Sequence, residues 1–270
     1  MPELPEVQTV IDNLLPKINK LKICNYHEYW HKVNYSNNSK ILKKELLNME
    51  IFDISRIGKY IIIKCNSKFI VFHLRMTGFL YHKESLPKNK KHIRCYFKFS
   101  NNSFLIYEDI RKFGGFFYTK NLIFLKNKVG IDALDSNLTD KYLFKILKTK
   151  KKKLKYFLLD QKYICGLGNI YIDEVLWKSK LHPEYQTHKI TLKKSLFLVT
   201  AIKTILIQSI KFHGTTIINF KFDNMKTGNY KTQLNVYGRE NKKCNSCNSR
   251  ITKKYLCGRA TYFCPSCQEL

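Results

Sequence analysis

The chain opens Met1-Pro2-Glu3-Leu4-Pro5-Glu6. Removal of Met1 would make Pro2 the amino terminus, and a terminal proline carries a secondary amine that can attack an aldehyde-like carbon to form a charged iminium. That is Schiff-base catalysis, a role more often given to lysine. A simpler reading competes with it. Proline is favoured in the first turn of a helix and glutamate is favoured there by the helix dipole, so the same residues also describe a well-capped first helix.

A second constellation lies near the other end. Cys244-x2-Cys247 and Cys264-x2-Cys267 form two knuckles around an excursion over residues 248–263. Four thiolates so spaced suit one tetrahedral structural zinc, which supplies folding energy to a segment too small to have a core; disulfides and an iron–sulfur cluster are the alternatives, and the spacing favours zinc. Within the excursion, Cys257-Gly258-Arg259 predicts a hairpin with Arg259 near its tip, either presenting a cation to a phosphate or simply exposed. A third signal is Asp160-Gln161 followed by Gly166-Leu167-Gly168-Asn169-Ile170-Tyr171. The glycines permit a tight turn, Asn169 is a natural N-cap, and the amides of the following helix could receive a phosphate. Alone, the same pattern is also an ordinary turn.

Charge says what kind of partner to expect. Among 270 residues, Lys+Arg number 49 against 20 Asp+Glu, a formal net charge of +29, and a polyanion such as nucleic acid is the first candidate partner. Lys, Asn, Ile, Tyr and Phe all have A+T-rich codons, so location carries more weight than the total. Residues 148–155 hold lysines at 148, 150, 151, 152, 153 and 155, either a phosphate-tracking stripe or a solvated loop. Acidic residues stand where a secretory segment would be basic, and the most apolar long stretch, 192–210, is interrupted by Lys193, Lys194, Lys203 and Gln208. No membrane span is predicted. Cys24, Cys65, Cys95 and Cys165 are scattered through apolar surroundings, which suggests small core residues in a reducing, cytoplasmic compartment.

The elements that must position these residues are of two textures. Val7, Val10, Ile11, Leu14 and Leu15 predict a first helix ending near Pro16. Short runs at 51–57, 60–65, 69–74, 93–99, 104–107 and 115–118 predict a β-sandwich or barrel with that helix packed on it. Beyond about residue 130 the pattern is helical, at 139–148, 154–161, 170–178 and 191–212, followed by a polar loop over 213–231. The expected fold class is therefore α+β and multidomain: a β-sandwich domain with its N-terminal helix (1–121), a helical domain (122–235) and a β-hairpin zinc ribbon (236–270).

Ordered motifs run the length of the chain: Pro2-Glu3-Leu4-Pro5-Glu6-Val7, Gly58-Lys59-Tyr60, His73-Leu74-Arg75-Met76-Thr77-Gly78, Asp109-Ile110-Arg111-Lys112-Phe113-Gly114, Gly166 to Tyr171, Gly214-Thr215-Thr216, Val236-Tyr237-Gly238-Arg239 and the four cysteines. Together they resemble the formamidopyrimidine-DNA glycosylase family. The resemblance implies a bacterial base excision repair enzyme, both DNA glycosylase and abasic-site lyase. It implies removal of oxidised purines (8-oxoguanine, formamidopyrimidines) from double-stranded DNA by a monomer with a helix-two-turns-helix domain and one structural Zn2+.

It also implies roles. Pro2 would attack C1′ of the damaged nucleotide, Glu3 would protonate the sugar ring oxygen, Lys59 would contact the lesion and assist elimination, and Arg259 would grip phosphates and assist δ-elimination. Lys150, Asn169 and His92 would contact DNA. Met76, Arg111 and Phe113 would fill the void left by a flipped-out base, with Arg111 facing the orphaned cytosine. Read without the resemblance, Lys59 could be a strand-edge surface lysine, and Met76 and Phe113 core residues. Ile218 and Asn219 stand where the family pattern leads one to expect polar or acidic residues, so the lesion preference does not carry over with the chemistry. Glu6 and Glu174 receive no separate role. Two rivals are an endonuclease VIII-like glycosylase of oxidised pyrimidines, disfavoured by Leu4, Met76 and the Arg111 motif, and a catalytically decayed zinc-ribbon protein that binds damaged DNA.

Overall fold

The computed structural model describes residues 1–36, 39–216, 227–268 and 270. Helix α1 (Leu4–Ile18) begins at a reciprocal capping box, in which the Glu3 side chain accepts from the Glu6 backbone while Glu6 Oε2 accepts from Glu3 N at 2.7 Å. It runs through Pro16 rather than stopping there, and closes where Asn19 N–H donates to Leu15 O. Its apolar stripe of Val7, Val10, Ile11, Leu14 and Ile18 is buried. Each such side chain contributes about 1.5–3 kcal/mol on leaving water.

That stripe packs on a sandwich. One four-stranded antiparallel sheet has the order β1 (Ile23–Glu28), β6 (Ile93–Phe99), β7 (Phe104–Asp109), β5 (Gly78–Lys83). The other has the order β2 (Ile51–Ile57), β3 (Tyr60–Cys65), β4 (Lys68–His73), β8 (Gly115–Thr119). Ile61, Ile63, Phe72, Phe97, Tyr107 and Phe116 share one core with α1. The elements not anticipated include β1, β5 and helix α2 (Ser39–Leu46). Strand β1, Ile-Cys-Asn-Tyr-His-Glu, buries only its first and fourth residues, too sparse a signal to stand out as a strand. Cys24 lies on it exposed, so it is not a core residue, whereas Cys65, Cys95 and Cys165 are buried.

The chain divides into two compact units, residues 1–126 with 212–229, and residues 127–211 with 230–270. The sequence reading kept 212–229 with the helical segment; its attachment to the first unit includes a hydrogen bond from Thr215 N to Glu6 Oε1 at 2.6 Å. Helix α3 (Ile123–Lys128) bridges the boundary. In the second unit a short parallel pair, β9 (Ile131–Asp132) and β10 (Ile164–Cys165), accompanies helices α4 (Asp140–Lys148), α5 (Leu154–Leu159), α6 (Asn169–Lys178) and α7 (Leu192–Lys211). A hairpin of β11 (Thr252–Leu256) and β12 (Arg259–Phe263) completes it. No helix among the described residues is long and apolar enough to cross a membrane.

Candidate active site

Strand register gathers the predicted residues of the first unit at one end of the sandwich. Tyr60 pairs with His73, and His73 pairs with Gly115, across three adjacent strands. Lys59 before Tyr60, the loop 74–77 after His73 and the loop 110–114 before Gly115 therefore emerge side by side. Gly78 pairs with Asp109, which brings the second sheet to the same end. Helix α1 is tied there too, because Arg56 donates to Gln8 Oε1 at 3.2 Å and to Gly58 O at 2.9 Å. Pro2 and Glu3 are buried at the start of that helix.

Lys59 sits in the two-residue loop between β2 and β3 and is only 6% exposed, which excludes a solvated strand-edge lysine. Glu6, given no role from sequence, links two segments: one carboxylate oxygen holds the start of α1 and the other holds Thr215 N. Thr216 is also held, its hydroxyl accepting from Gly228 N at 2.7 Å. Ile218 and Asn219, the departures noted beyond it, lie outside the described residues.

Asp109 organises the neighbouring loops. It is fully buried, accepts from the Thr77 hydroxyl, and takes the backbone N–H groups of Arg111, Phe113 and Gly114 at 3.1, 2.9 and 2.8 Å. Gly114 fits beneath it because a Cβ there would meet the Tyr107 hydroxyl at 2.1 Å. So held, the loop turns Arg111 and Phe113 outward. The Arg111 guanidinium lies 4.5 Å from the Phe113 ring centroid and donates to Met76 Sδ at 3.2 Å. Met76 is 43% and Phe113 52% exposed, so neither is a core residue. The structure brings these three together as a cation–aromatic–thioether projection. His92 is half-buried, its carbonyl accepting from Asp109 N at 3.0 Å.

Asp109 opens the motif Asp109 to Gly114, and an aspartate ahead of several loop amides is the sequence sign of such a turn. Replacing it by alanine orphans these buried donors. We expect Asp109→Ala to destabilise the first unit by about 3 kcal/mol or more, read by denaturant unfolding. An unchanged midpoint would refute the organising role.

In the second unit, the turn before α6 is held by Gln161, which accepts from Gly166 N and donates to Leu167 O at 2.9 and 2.8 Å. The N-cap of α6 is Gly168, not Asn169 as expected. Asn169 is the first helical residue, and its Nδ2 donates to Ala260 O at 2.8 Å, next to Arg259. Lys150 is half-buried with Nζ 5.6 Å from the Tyr163 ring centroid, in the same turn. Lys155 departs from the basic run altogether. It is fully buried, with Nζ 2.6 Å from Asp173 Oδ1. Burial pushes the Asp173 carboxyl up to about 7, against the pull of Lys155.

Glu174 also has a partner set that nothing local announces. It accepts from the backbone N–H groups of Asn235, Val236 and Tyr237, at 2.9 Å from the last two, and so fastens the chain entering the ribbon. Burial nevertheless raises its pKa.

At the ribbon, Cys257 and Gly258 have φ of 56° and 65°, the pair of left-handed residues a two-residue hairpin loop requires, and Arg259 follows as the first residue of β12. The Sγ atoms of Cys244, Cys247, Cys264 and Cys267 lie within 4.8 Å of one another, and this cluster can hold a metal ion. Tetrahedral Zn–S bonds of about 2.3 Å put the sulfurs about 3.8 Å apart. The contacts Cys244–Cys267 and Cys247–Cys264 are 3.8 and 3.4 Å, so the cage fits that ion. Trp177 Nε1 and Ser246 N each donate to Cys244 Sγ at 3.4 Å, as thiolate ligands favour.

Comparison with known proteins agrees with this arrangement. Residues 1–116 match the formamidopyrimidine-DNA glycosylase N-terminal domain, and residues 129–221 match the formamidopyrimidine-DNA glycosylase H2TH domain. The chain is 38% identical to the formamidopyrimidine-DNA glycosylase of Mycoplasma genitalium, over 100% of this chain and 96% of the relative. It is also 38% identical to that of Lactobacillus helveticus, over 100% and 99%. Among solved structures, the Lactococcus lactis Fpg bound to DNA containing an abasic site superposes with a TM-score of 0.92 at 35% identity, over 100% of both chains. MutM in complex with DNA containing carbocyclic 8-oxo-G superposes at 0.90 and 35%, again over 100% of both. A chain that carries both domains and aligns end to end with such relatives belongs to the formamidopyrimidine-DNA glycosylase family.

Proposed function

We infer that the chain is a DNA glycosylase of base excision repair with abasic-site lyase activity, acting on oxidised purines in double-stranded DNA. The observation that carries this reading is the shared end of the first unit. There a buried Pro2-Glu3 start of α1 is tied to the Lys59 turn, and the exposed Met76–Arg111–Phe113 projection emerges beside them. A covalent nucleophile beside a wedge is what chemistry on a flipped-out nucleotide needs.

With Met1 removed, the neutral Pro2 amine attacks C1′, and the base leaves with the electrons of the glycosidic bond and takes up a proton to balance the one the amine nitrogen sheds. Its place before the N-terminus of α1 disfavours the protonated amine and so favours the nucleophile. Glu3 delivers a proton to the ring oxygen as the C1′–O bond opens, leaving an iminium between C1′ and Pro2. The iminium acidifies the C2′ proton, whose loss expels the 3′ oxygen; loss of a C4′ proton then expels the 5′ oxygen. Lys59 contacts the lesion and assists elimination. Arg259 grips phosphates for the second elimination, while Lys150, Asn169 and His92 hold the backbone. Met76, Arg111 and Phe113 occupy the vacated stack, and Cys244, Cys247, Cys264 and Cys267 hold one zinc ion whose contribution is structural.

A panel of duplexes tests the substrate class. Excision of 8-oxoguanine opposite cytosine is expected to exceed excision of thymine glycol, measured as single-turnover rates on end-labelled strands. A preference for thymine glycol would move the chain to an oxidised-pyrimidine activity.

A further inference from the structure

Helix α6 carries three side chains at four-residue spacing that each hold the ribbon. Asn169 Nδ2 donates to Ala260 O, Asp173 Oδ2 accepts from Tyr262 N, and Trp177 Nε1 donates to Cys244 Sγ, at 2.8, 2.9 and 3.4 Å. Such spacing stacks them along one stripe of the helix. Asp173 is the middle contact, and its other oxygen is engaged from α5 by Lys155 at 2.6 Å, with both side chains wholly shielded from solvent.

Burying two charges carries a desolvation cost that their attraction only roughly offsets, so an apolar pair of similar volume would serve stability as well. An apolar pair could not supply a fixed acceptor for the Tyr262 N–H. That amide lies three residues beyond Arg259 on the same strand, so its height along α6 sets where the hairpin tip lies.

We propose that Asp173, oriented by Lys155, is a positioning residue for Arg259, fixing the register of the β11–β12 hairpin against α6 so that the guanidinium meets its phosphate. The inference rests on the reading of Arg259 as the residue that assists the second elimination. Base release and the first elimination depend on Pro2, Glu3 and Lys59 and do not require it.

The test uses the full-length, Met1-processed, zinc-loaded protein on a duplex with one abasic site, and reads β- against β,δ-elimination products together with borohydride trapping. The variant Lys155→Met/Asp173→Leu removes both charges without stranding either in the interior. It should keep its zinc and trap DNA as the parent does, while its δ-elimination rate falls about 10- to 100-fold, the scale of an ångström-level misplacement. Lys155→Met/Asp173→Asn returns an oxygen to the Tyr262 N–H and should recover most of that loss.

Arg259→Ala is the reference. If it shifts the product split but neither pair does, the positioning role is wrong while the Arg259 assignment stands. If Arg259→Ala leaves the split unchanged, the assignment fails and takes the inference with it. Equal loss of trapping and of δ-elimination in the zinc-loaded pairs would mean a general structural role and would also overturn it. Should the apolar pair fail to retain zinc, the asparagine pair still decides: with its Tyr262 acceptor restored, it must show the parent's product split or the proposal falls.

Discussion

Pro2→Gly, with Met1 removal verified by intact mass, is expected to lower excision of the oxidised base by about 10²-fold or more. Glycine leaves a primary amine in place of the secondary one, so covalent chemistry is not abolished in principle. What is lost is the ring that restricts rotation about the N–Cα bond and so aims the nitrogen lone pair, together with the ready formation of a fully substituted iminium. An abasic site presents a free aldehyde and needs no glycosidic bond to break, so cutting there should fall less than base excision. Affinity for lesion duplex should stay near the parent's, because the capping box of Glu3 and Glu6 does not use the Pro2 ring. Borohydride trapping of the parent and the variant on both substrates makes the comparison. Equal excision and trapping by the two proteins would remove Pro2 from the mechanism. Absence of any adduct with the processed parent, despite tight binding, would favour a protein that recognises damage without repairing it.

The opening residues show why part of this site was legible in the sequence. A capped helix and a nucleophile read as rivals there; the structure shows the cap, with Glu3 and Glu6 as a capping box and Pro2 buried just ahead of it, and a cap so built leaves the Pro2 nitrogen outside the helix for the proposed role. Spacing likewise announces the cysteine cage, since each ligand pair is local and the metal geometry is demanding. Alternating runs announced six of the eight sandwich strands; β1 and β5 were missed because their polar residues, such as Asn25, Glu28, His82 and Lys83, break the apolar signal. Partners distant in sequence left no local trace. Lys155 looked like one more lysine in a basic run until Asp173 on the next helix proved to neutralise it in the interior. Glu174 reaches amides more than sixty residues away, and only the folded chain brings them to it. Asp109 lies between these cases, because its donors are local but its burial depends on the sheet pairing that closes over it.

Removal of zinc should have the other large effect, and it should be confined to the ribbon. The segment's own core comprises Val236, Cys244, Ile251 and Cys264, with Trp177, Tyr262 and Cys267 partly buried against it, so three of these seven residues belong to the cysteine cage proposed to hold the ion. Against the metal stand the hydrogen bonds donated by Asn169 and Gln268, about 1 kcal/mol net each, and those accepted by the Asp173 and Glu174 carboxylates, about 1.5–3 kcal/mol each. Apparent zinc-binding energies of about 10–16 kcal/mol in small zinc domains exceed that sum, so folding of the hairpin follows the ion. Chelation, or Cys247→Ser, is therefore expected to open residues 236–270 to proteolysis and to weaken DNA binding by displacing Arg259. The sandwich should keep its own unfolding transition, because its core is a separate cluster of α1 with the two sheets. Limited proteolysis with zinc content measured in parallel makes the check. A ribbon that stays resistant after verified zinc loss would mean that the contacts with α6 suffice to fold it.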